Sequence, residues 1–273
     1  MQLYDDKRVR LPEGGTGESM QVSAGVTALR AAPEPDATQV SQALCGEGVS
    51  LHHEEGAFGL VQCHHDGYVG WALMDALSAP VLAPTHRVIA PRLHTYAAPN
   101  ITAAPHFVLG TGARLTATGQ QDGRYIEFER AGWIIDHLVA PLDMIETDPA
   151  SVAERFLGTP YLWGGRDTLG VDCSGLLQIA FDACGIAAPR DSDMQRDWLG
   201  APIENWQAPG ALQRNDLICW KGHIGIMLDT KTLLHANGTF MQTIQEPLLP
   251  AIARIATEYG EPLGARRIDI DGL

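Results

Sequence analysis

Between residues 170 and 184 the chain reads Gly-Val-Asp-Cys-Ser-Gly-Leu-Leu-Gln-Ile-Ala-Phe-Asp-Ala-Cys. Leu176, Leu177, Ala180, Phe181 and Cys184 fall on one helical stripe, which predicts a buried helix with Cys173 at its N-terminus. Asp172 stands in the capping position. A helix N-terminus carries unpaired N–H groups and the positive end of the macrodipole, so it favours an anion. For a cysteine this predicts a lowered pKa and a nucleophilic thiolate. The same amides can receive the oxyanion of an acyl-transfer intermediate.

A thiol nucleophile needs a base, and the segment from Asp216 onward supplies two candidates. Asp216 to Gly222 reads as a strand and turn, His223 to Leu228 as a strand opening on His, and Thr232 to Asn237 as the next strand. A hairpin of these strands sets His223 beside His235. In that geometry His223 takes the Cys173 proton and His235 orients His223. Ahead of them, Pro149 to Leu157 has helical spacing, with Asp148 placed to cap it. Residues 142–150 read as a linker, so an α+β unit of ordinary domain size begins near residue 148.

The front half is built differently. Residues 1–20 read as a polar arm; its Pro12-Glu13-Gly14-Gly15-Thr16-Gly17 stretch lacks the Lys-Ser/Thr of a phosphate loop. Residues 21–80 and 85–141 read as two copies of one unit. The first opens on Val26-Thr27-Ala28-Leu29-Arg30-Ala31-Ala32-Pro33 and the second on His94-Thr95-Tyr96-Ala97-Ala98-Pro99. Each passes a Gly-x-Gly turn, at Gly46-Glu47-Gly48 and Gly110-Thr111-Gly112, and closes on Gly70-Trp71 or Gly132-Trp133. Short alternating runs between Gly and Asp-Gly turns predict small β-barrels.

Together these motifs resemble a known combination. Thr159-Pro160-Tyr161-Leu162-Trp163-Gly164-Gly165, Asp172-Cys173-Ser174-Gly175, His223-Ile224-Gly225-Ile226 and His235 follow the order seen in NlpC/P60 cysteine peptidases. The two repeated units resemble bacterial SH3 (SH3b) domains. The resemblance implies an α+β chain: two small SH3b-like β-barrels, then a papain-like NlpC/P60 domain over 148–270. It implies Cys173 as nucleophile, His223 as base and His235 as the orienting residue. Tyr161, Asp172, Ser174 and Ser192 match substrate-lining positions. SH3b units ahead of this domain resemble γ-D-glutamyl-L-diamino-acid endopeptidases. In that group the first SH3b domain closes one end of the groove and holds the free amine of an N-terminal L-Ala. The counterparts here are Tyr68 and Glu54 or Glu55. The implied substrate is a murein peptide, L-Ala-γ-D-Glu-diamino acid, and the implied role is peptidoglycan recycling.

Composition enters through what it excludes. Nineteen Lys+Arg against 33 Asp+Glu give a net charge of −14, which disfavours nucleic acid and anionic lipid as partners. No run approaches the ~18–20 apolar residues of a membrane span. The charged start, Asp5-Asp6-Lys7-Arg8, does not read as a signal peptide, and five cysteines without CxxC spacing fit a reducing compartment, so a cytoplasmic location is expected. Cys45, Cys63, Cys184 and Cys219 read as core residues. His52-His53-Glu54-Glu55 and His64-His65 lack metal-ligand spacing, because adjacent strand residues point to opposite faces; neither a metal nor another cofactor is expected. The rival readings are a wall-binding hydrolase of intact stem peptides, an acyltransferase on the same fold, and a non-catalytic binding protein.

Overall fold

The computed structural model describes residues 4–11 and 17–270; the glycine-rich stretch at 12–16 lies outside them. The chain divides into two compact units, residues 1–144 and 145–273. The division falls inside the expected linker.

The first unit holds two β-structures. In the first, seven strands form one antiparallel sheet in the spatial order Gln39–Leu44, Val26–Arg30, Val69–Leu73, Phe58–Cys63, Gly48–Glu55, Glu18–Val22, Leu77–Ser78. Alternation turns Leu29, Val49, Leu51, Val61 and Ala72 into one core. Pairing begins at Glu18, inside the expected arm. The arm itself is anchored: Val9 is buried, and its carbonyl accepts from Gln62 Nε2 at 2.8 Å.

The second β-structure repeats this strand order. Pro105–Gly110, Arg92–Tyr96, Gly132–Ile135, Tyr125–Phe128 and Ala117–Asp122 lie side by side in the same relative sequence. In both halves the Gly-Trp strand pairs with the opening strand at the Trp, Trp71 with Arg30 and Trp133 with Tyr96. In both, a short 3-10 turn follows, Met74–Ala76 and Asp136–Leu138. Both glycines let the closing strand approach the opening one, since a Cβ at Gly132 would stand 2.5 Å from the Tyr96 carbonyl oxygen. A Cβ at Gly70 would stand 2.9 Å from Leu29 Cβ, so its absence lets two strands close up. Gly132 has φ of 84°, a left-handed conformation that glycine adopts freely. The halves also differ. The strand that is continuous over Gly48–Glu55 is broken in the second half into Arg114–Leu115 and Ala117–Asp122, so a separate three-stranded sheet forms with His86–Val88 and Val139–Pro141.

Among the described residues, the second unit sets four α-helices on a six-stranded antiparallel sheet. The helices are α1 (Pro149–Glu154), α2 (Cys173–Ala183), α3 (Ser192–Trp198) and α4 (Leu248–Tyr259). The strand order is Ala201–Pro202, Gly264–Arg267, Leu217–Trp220, His223–Met227, Thr232–Asn237, Gln242–Pro247. Both faces of the sheet are covered, and the period of two divides them. Leu217, Cys219, Ile224, Ile226, Leu234 and Ala236 join the core made with α1 and α2. Ile218, Trp220, Met227 and Leu233 join the core made with Leu248, Ala251 and Ile255 of α4. Asp148 occupies the cap position of α1, but its carboxylate bonds Ser151 Oγ and Arg214 instead of a helix amide. Asn215 Oδ1 takes the Ala150 amide at 2.8 Å. Among the described residues, no helix is long and apolar enough to cross a membrane.

Candidate active site

Helix α2 begins on a buried ionic knot. Asp172 caps it: Oδ1 accepts from the Gly175 amide at 2.7 Å, and Oδ2 from the Gly164 amide at 2.8 Å. Arg190 grips both oxygens, Nη1 to Oδ1 at 3.0 Å and Nη2 to Oδ2 at 2.6 Å. Ser174 Oγ accepts from Arg190 Nη1 at 3.0 Å and donates to Asp172 at 3.3 Å. Arg190 is 1% exposed. A buried cation is tolerated here because a bidentate carboxylate meets it. The glycines of the motif have a packing reason: a Cβ at Gly175 would stand 2.1 Å from the Gly165 carbonyl oxygen. Of the expected substrate-lining residues, Asp172 and Ser174 therefore have their polar groups engaged by the protein itself.

Cys173 opens α2 and is buried, with its sulfur held by the amides of Ser174 and Ile224. Its protonation state differs from the expectation drawn from the helix terminus. Burial pushes the thiol up to about 12, and the Asp172 carboxylate adds to this; the two amides and Arg190 pull the other way without offsetting it. Desolvating an anion costs more than a helix terminus returns.

Ile224 follows His223, the first residue of its strand. His223 Nε2 lies 2.7 Å from His235 Nδ1 on the neighbouring strand. Burial pushes the His223 imidazole down to about 3, with His235 and Arg254 adding to the effect. The ring is enclosed by Trp220 and Tyr259, at centroid distances of 5.6 and 6.3 Å. At rest the site therefore holds a neutral thiol and a neutral imidazole. The relay continues beyond the expected residues. His235, fully buried, meets Glu246 Oε1 at 2.8 Å through Nε2, and the same oxygen accepts from Arg254 Nη2. Burial raises the Glu246 carboxyl, but the hydrogen bonds from His235 and Arg254 more than offset it and hold the group below its usual range.

Tyr161 is half-buried and packs against the α1–α2 core; burial raises its phenol, and the proximity of Cys173 and Asp172 adds to the rise. Ser192 is the half-buried first residue of α3. Gln195 ties α3 to the site, donating to the Ser174 and Pro189 carbonyls at 2.9 Å each. Trp163 is 63% exposed. In the first unit, Tyr68 is buried, with its amide bonded to Asp66 Oδ1, while Glu54 and Glu55 stand exposed at a hairpin end. None of the five cysteines is in a disulfide. Among the described residues, no group of three His, Cys, Asp or Glu side chains is placed to hold a metal ion.

Arg190, Glu246 and Arg254 escape the sequence reading. Pro189-Arg190-Asp191 offers one signal, a cation closing the apolar run Gly185 to Ala188. Glu246 offers another. Once Thr232–Asn237 pairs with Gln242–Pro247, His235 sits opposite Ile244, and Glu246 follows two residues on along the same face.

Comparison with known proteins bears on the two halves of the chain. Residues 158–253 match the NlpC/P60 family, and residues 29–77 match the bacterial dipeptidyl-peptidase Sh3 domain. Dipeptidyl-peptidase 6 of Lysinibacillus sphaericus is 34% identical over 85 residues, 31% of this chain and 30% of that protein. Gamma-D-glutamyl-L-lysine dipeptidyl-peptidase of Bacillus subtilis is 33% identical over 120 residues, 38% of each. The match thus spans about a third of either relative. A crystal structure of an NlpC/P60 family protein from Bacillus cereus shares the fold, with a TM-score of 0.76 at 21% identity over 92% of this chain and 99% of that one. The chain carries an NlpC/P60 domain preceded by a bacterial SH3 domain of the dipeptidyl-peptidase type.

Proposed function

We propose that this chain is a cysteine peptidase that cuts the γ-D-glutamyl–diamino-acid bond of murein peptides with a free N-terminal L-Ala. The observation that carries the reading is the buried Cys173 at the head of α2, its sulfur bonded by the amide of Ile224, the residue next to His223, with His223 and His235 paired at 2.7 Å. In this reading Cys173 Sγ attacks the γ-carbonyl of D-Glu as its proton passes to His223. Amides at the start of α2 receive the oxyanion. His223 then returns the proton to the departing amine, and water hydrolyses the thioester. Tyr161, Asp172, Ser174 and Ser192 line the substrate, Asp172 and Ser174 through the framework that Arg190 locks.

The Sh3 match and the name of the Bacillus subtilis relative support the choice of bond. Selection of the free amine is assigned to Glu54, Glu55 and Tyr68 on sequence resemblance. The second β-structure is read as a further SH3b-like barrel because it repeats the first one's strand order. Recycling of free peptides in the cytoplasm fits five cysteines held outside any disulfide.

Mass spectrometry of the products from L-Ala-γ-D-Glu-diaminopimelate tests the reading. Release of L-Ala-γ-D-Glu and free diaminopimelate is expected. The N-acetylated peptide should react more slowly, because the amine has lost the charge that Glu54 or Glu55 would meet and carries added bulk. Equal rates on the two peptides would move the protein to the wall-binding hydrolase reading, and a transferred acyl product to the acyltransferase.

A further inference from the structure

We propose that Glu246 is a positioning residue that fixes which nitrogen of His223 is basic. A carboxylate oxygen only accepts hydrogen bonds, so the 2.8 Å contact requires the proton of His235 on Nε2. His235 Nδ1 then carries the lone pair and accepts from His223 Nε2–H at 2.7 Å. That leaves His223 Nδ1 without a proton, the state a base needs if it is to take the Cys173 proton. The order of protons along two imidazoles is thus set from their far end. Arg254 bonds the same carboxylate and keeps it an acceptor. It is itself held in place by Thr239 Oγ1 at 3.3 Å and by the Phe240 ring 5.0 Å away.

A competing donor makes the carboxylate necessary. Asn237 Nδ2 lies 3.3 Å from the same His235 Nε2, and Asn237 Oδ1 is committed to the Phe240 amide at 3.0 Å. With Glu246 gone, Asn237 donates to a bare Nε2. The His235 proton then moves to Nδ1, and His223 presents N–H to the thiol, a tautomer that cannot accept its proton. When the thiol does transfer its proton, the new imidazolium is stabilised through His235 by the Glu246 charge.

The inference rests on the cysteine-peptidase reading, but its first test does not. Nitrogen-15 NMR of the wild-type histidine rings should find the neutral protons on His235 Nε2 and His223 Nε2. A His235 proton on Nδ1 would overturn the proposal even if the peptide is cleaved, and failure to cleave the peptide would leave this reading of the rings standing. The second test is Glu246→Gln, which keeps the size and removes the obligate acceptor. We expect both rings to change tautomer, and kcat to fall on the order of 10²-fold with KM within twofold. Adding Asn237→Asp to this variant restores an acceptor beside Nε2 and should recover at least tenfold in kcat, which a merely structural role for Glu246 would not permit. A kcat loss below tenfold in Glu246→Gln, an unchanged tautomer, or no recovery in the double variant would each refute the assignment.

Discussion

Arg190→Met isolates what holds the head of α2. The substitution keeps an unbranched stem and removes the guanidinium from a site 1% exposed. Asp172 retains the Gly175 and Gly164 amides but loses both arms of a bidentate partner at 3.0 and 2.6 Å. Ser174 Oγ loses its donor as well. Breaking one side of a buried pair costs about 3–5 kcal/mol, most of it the penalty of a carboxylate left without its counter-charge. At about 1.4 kcal/mol per decade, opening of the helix becomes roughly 10²–10³-fold more frequent or slightly more. Hydrogen exchange read by mass spectrometry on a peptide spanning Leu176 to Ala183 measures that opening directly, with peptides from the first unit as internal controls. Adding Asp172→Asn removes the orphaned charge, so exchange in the double variant should slow again by about tenfold. If Arg190→Met accelerates exchange less than tenfold, or if Asp172→Asn worsens it, the helix head is held by packing and the electrostatic account fails.

Two further expectations concern the reaction and the fold. Cys173→Ala and Cys173→Ser should abolish hydrolysis with the unfolding transitions unchanged, and His223→Ala should be nearly as severe. EDTA should not inactivate the wild type; near-normal turnover by Cys173→Ala, or zinc rescue after EDTA, would contradict this. Stability of the second unit should fall between pH 7 and pH 5. The folded His223 resists protonation down to about 3, whereas an unfolded imidazole takes its proton near 6.5. The unfolded state therefore binds more protons throughout that window, and stability is lost as the pH drops below 6.5, at about 1.4 kcal/mol per unit for this one residue. Burial lowers His235 in the same direction. A urea midpoint that is constant or rises on going from pH 7 to pH 5 would contradict the neutral resting state.

What the sequence discloses divides by range. The start of α2 is legible because capping by Asp172 and the stripe from Leu176 to Cys184 are local. The His223 and Thr232–Asn237 strands are legible because they run unbroken between turns. The repeated strands are legible through alternation and their Gly-Trp closures. The break at Thr116 is not, since nothing in Arg114 to Ala117 departs from a strand pattern. Arg190, Glu246 and Arg254 stay hidden for another reason. Their partners lie 18, 11 and 8 residues away and meet only after two helices and a hairpin have packed. The protonation of Cys173 is the sharpest miss. A helix terminus can be read from a dozen residues, but the depth at which its thiol is buried depends on the whole domain.

That buried, neutral sulfur has a chemical consequence outside the peptidase reaction. Peroxides attack thiolates that they can reach, and the first product, a sulfenic acid, leads on to irreversible acids. In the proposed reaction Cys173 is ionised only as substrate is engaged, and its sulfur is then shielded from oxidants between turnovers. The molecule gives up a ready-made thiolate and gains durability, so its exposure to damage tracks how often it works and not how long it has existed.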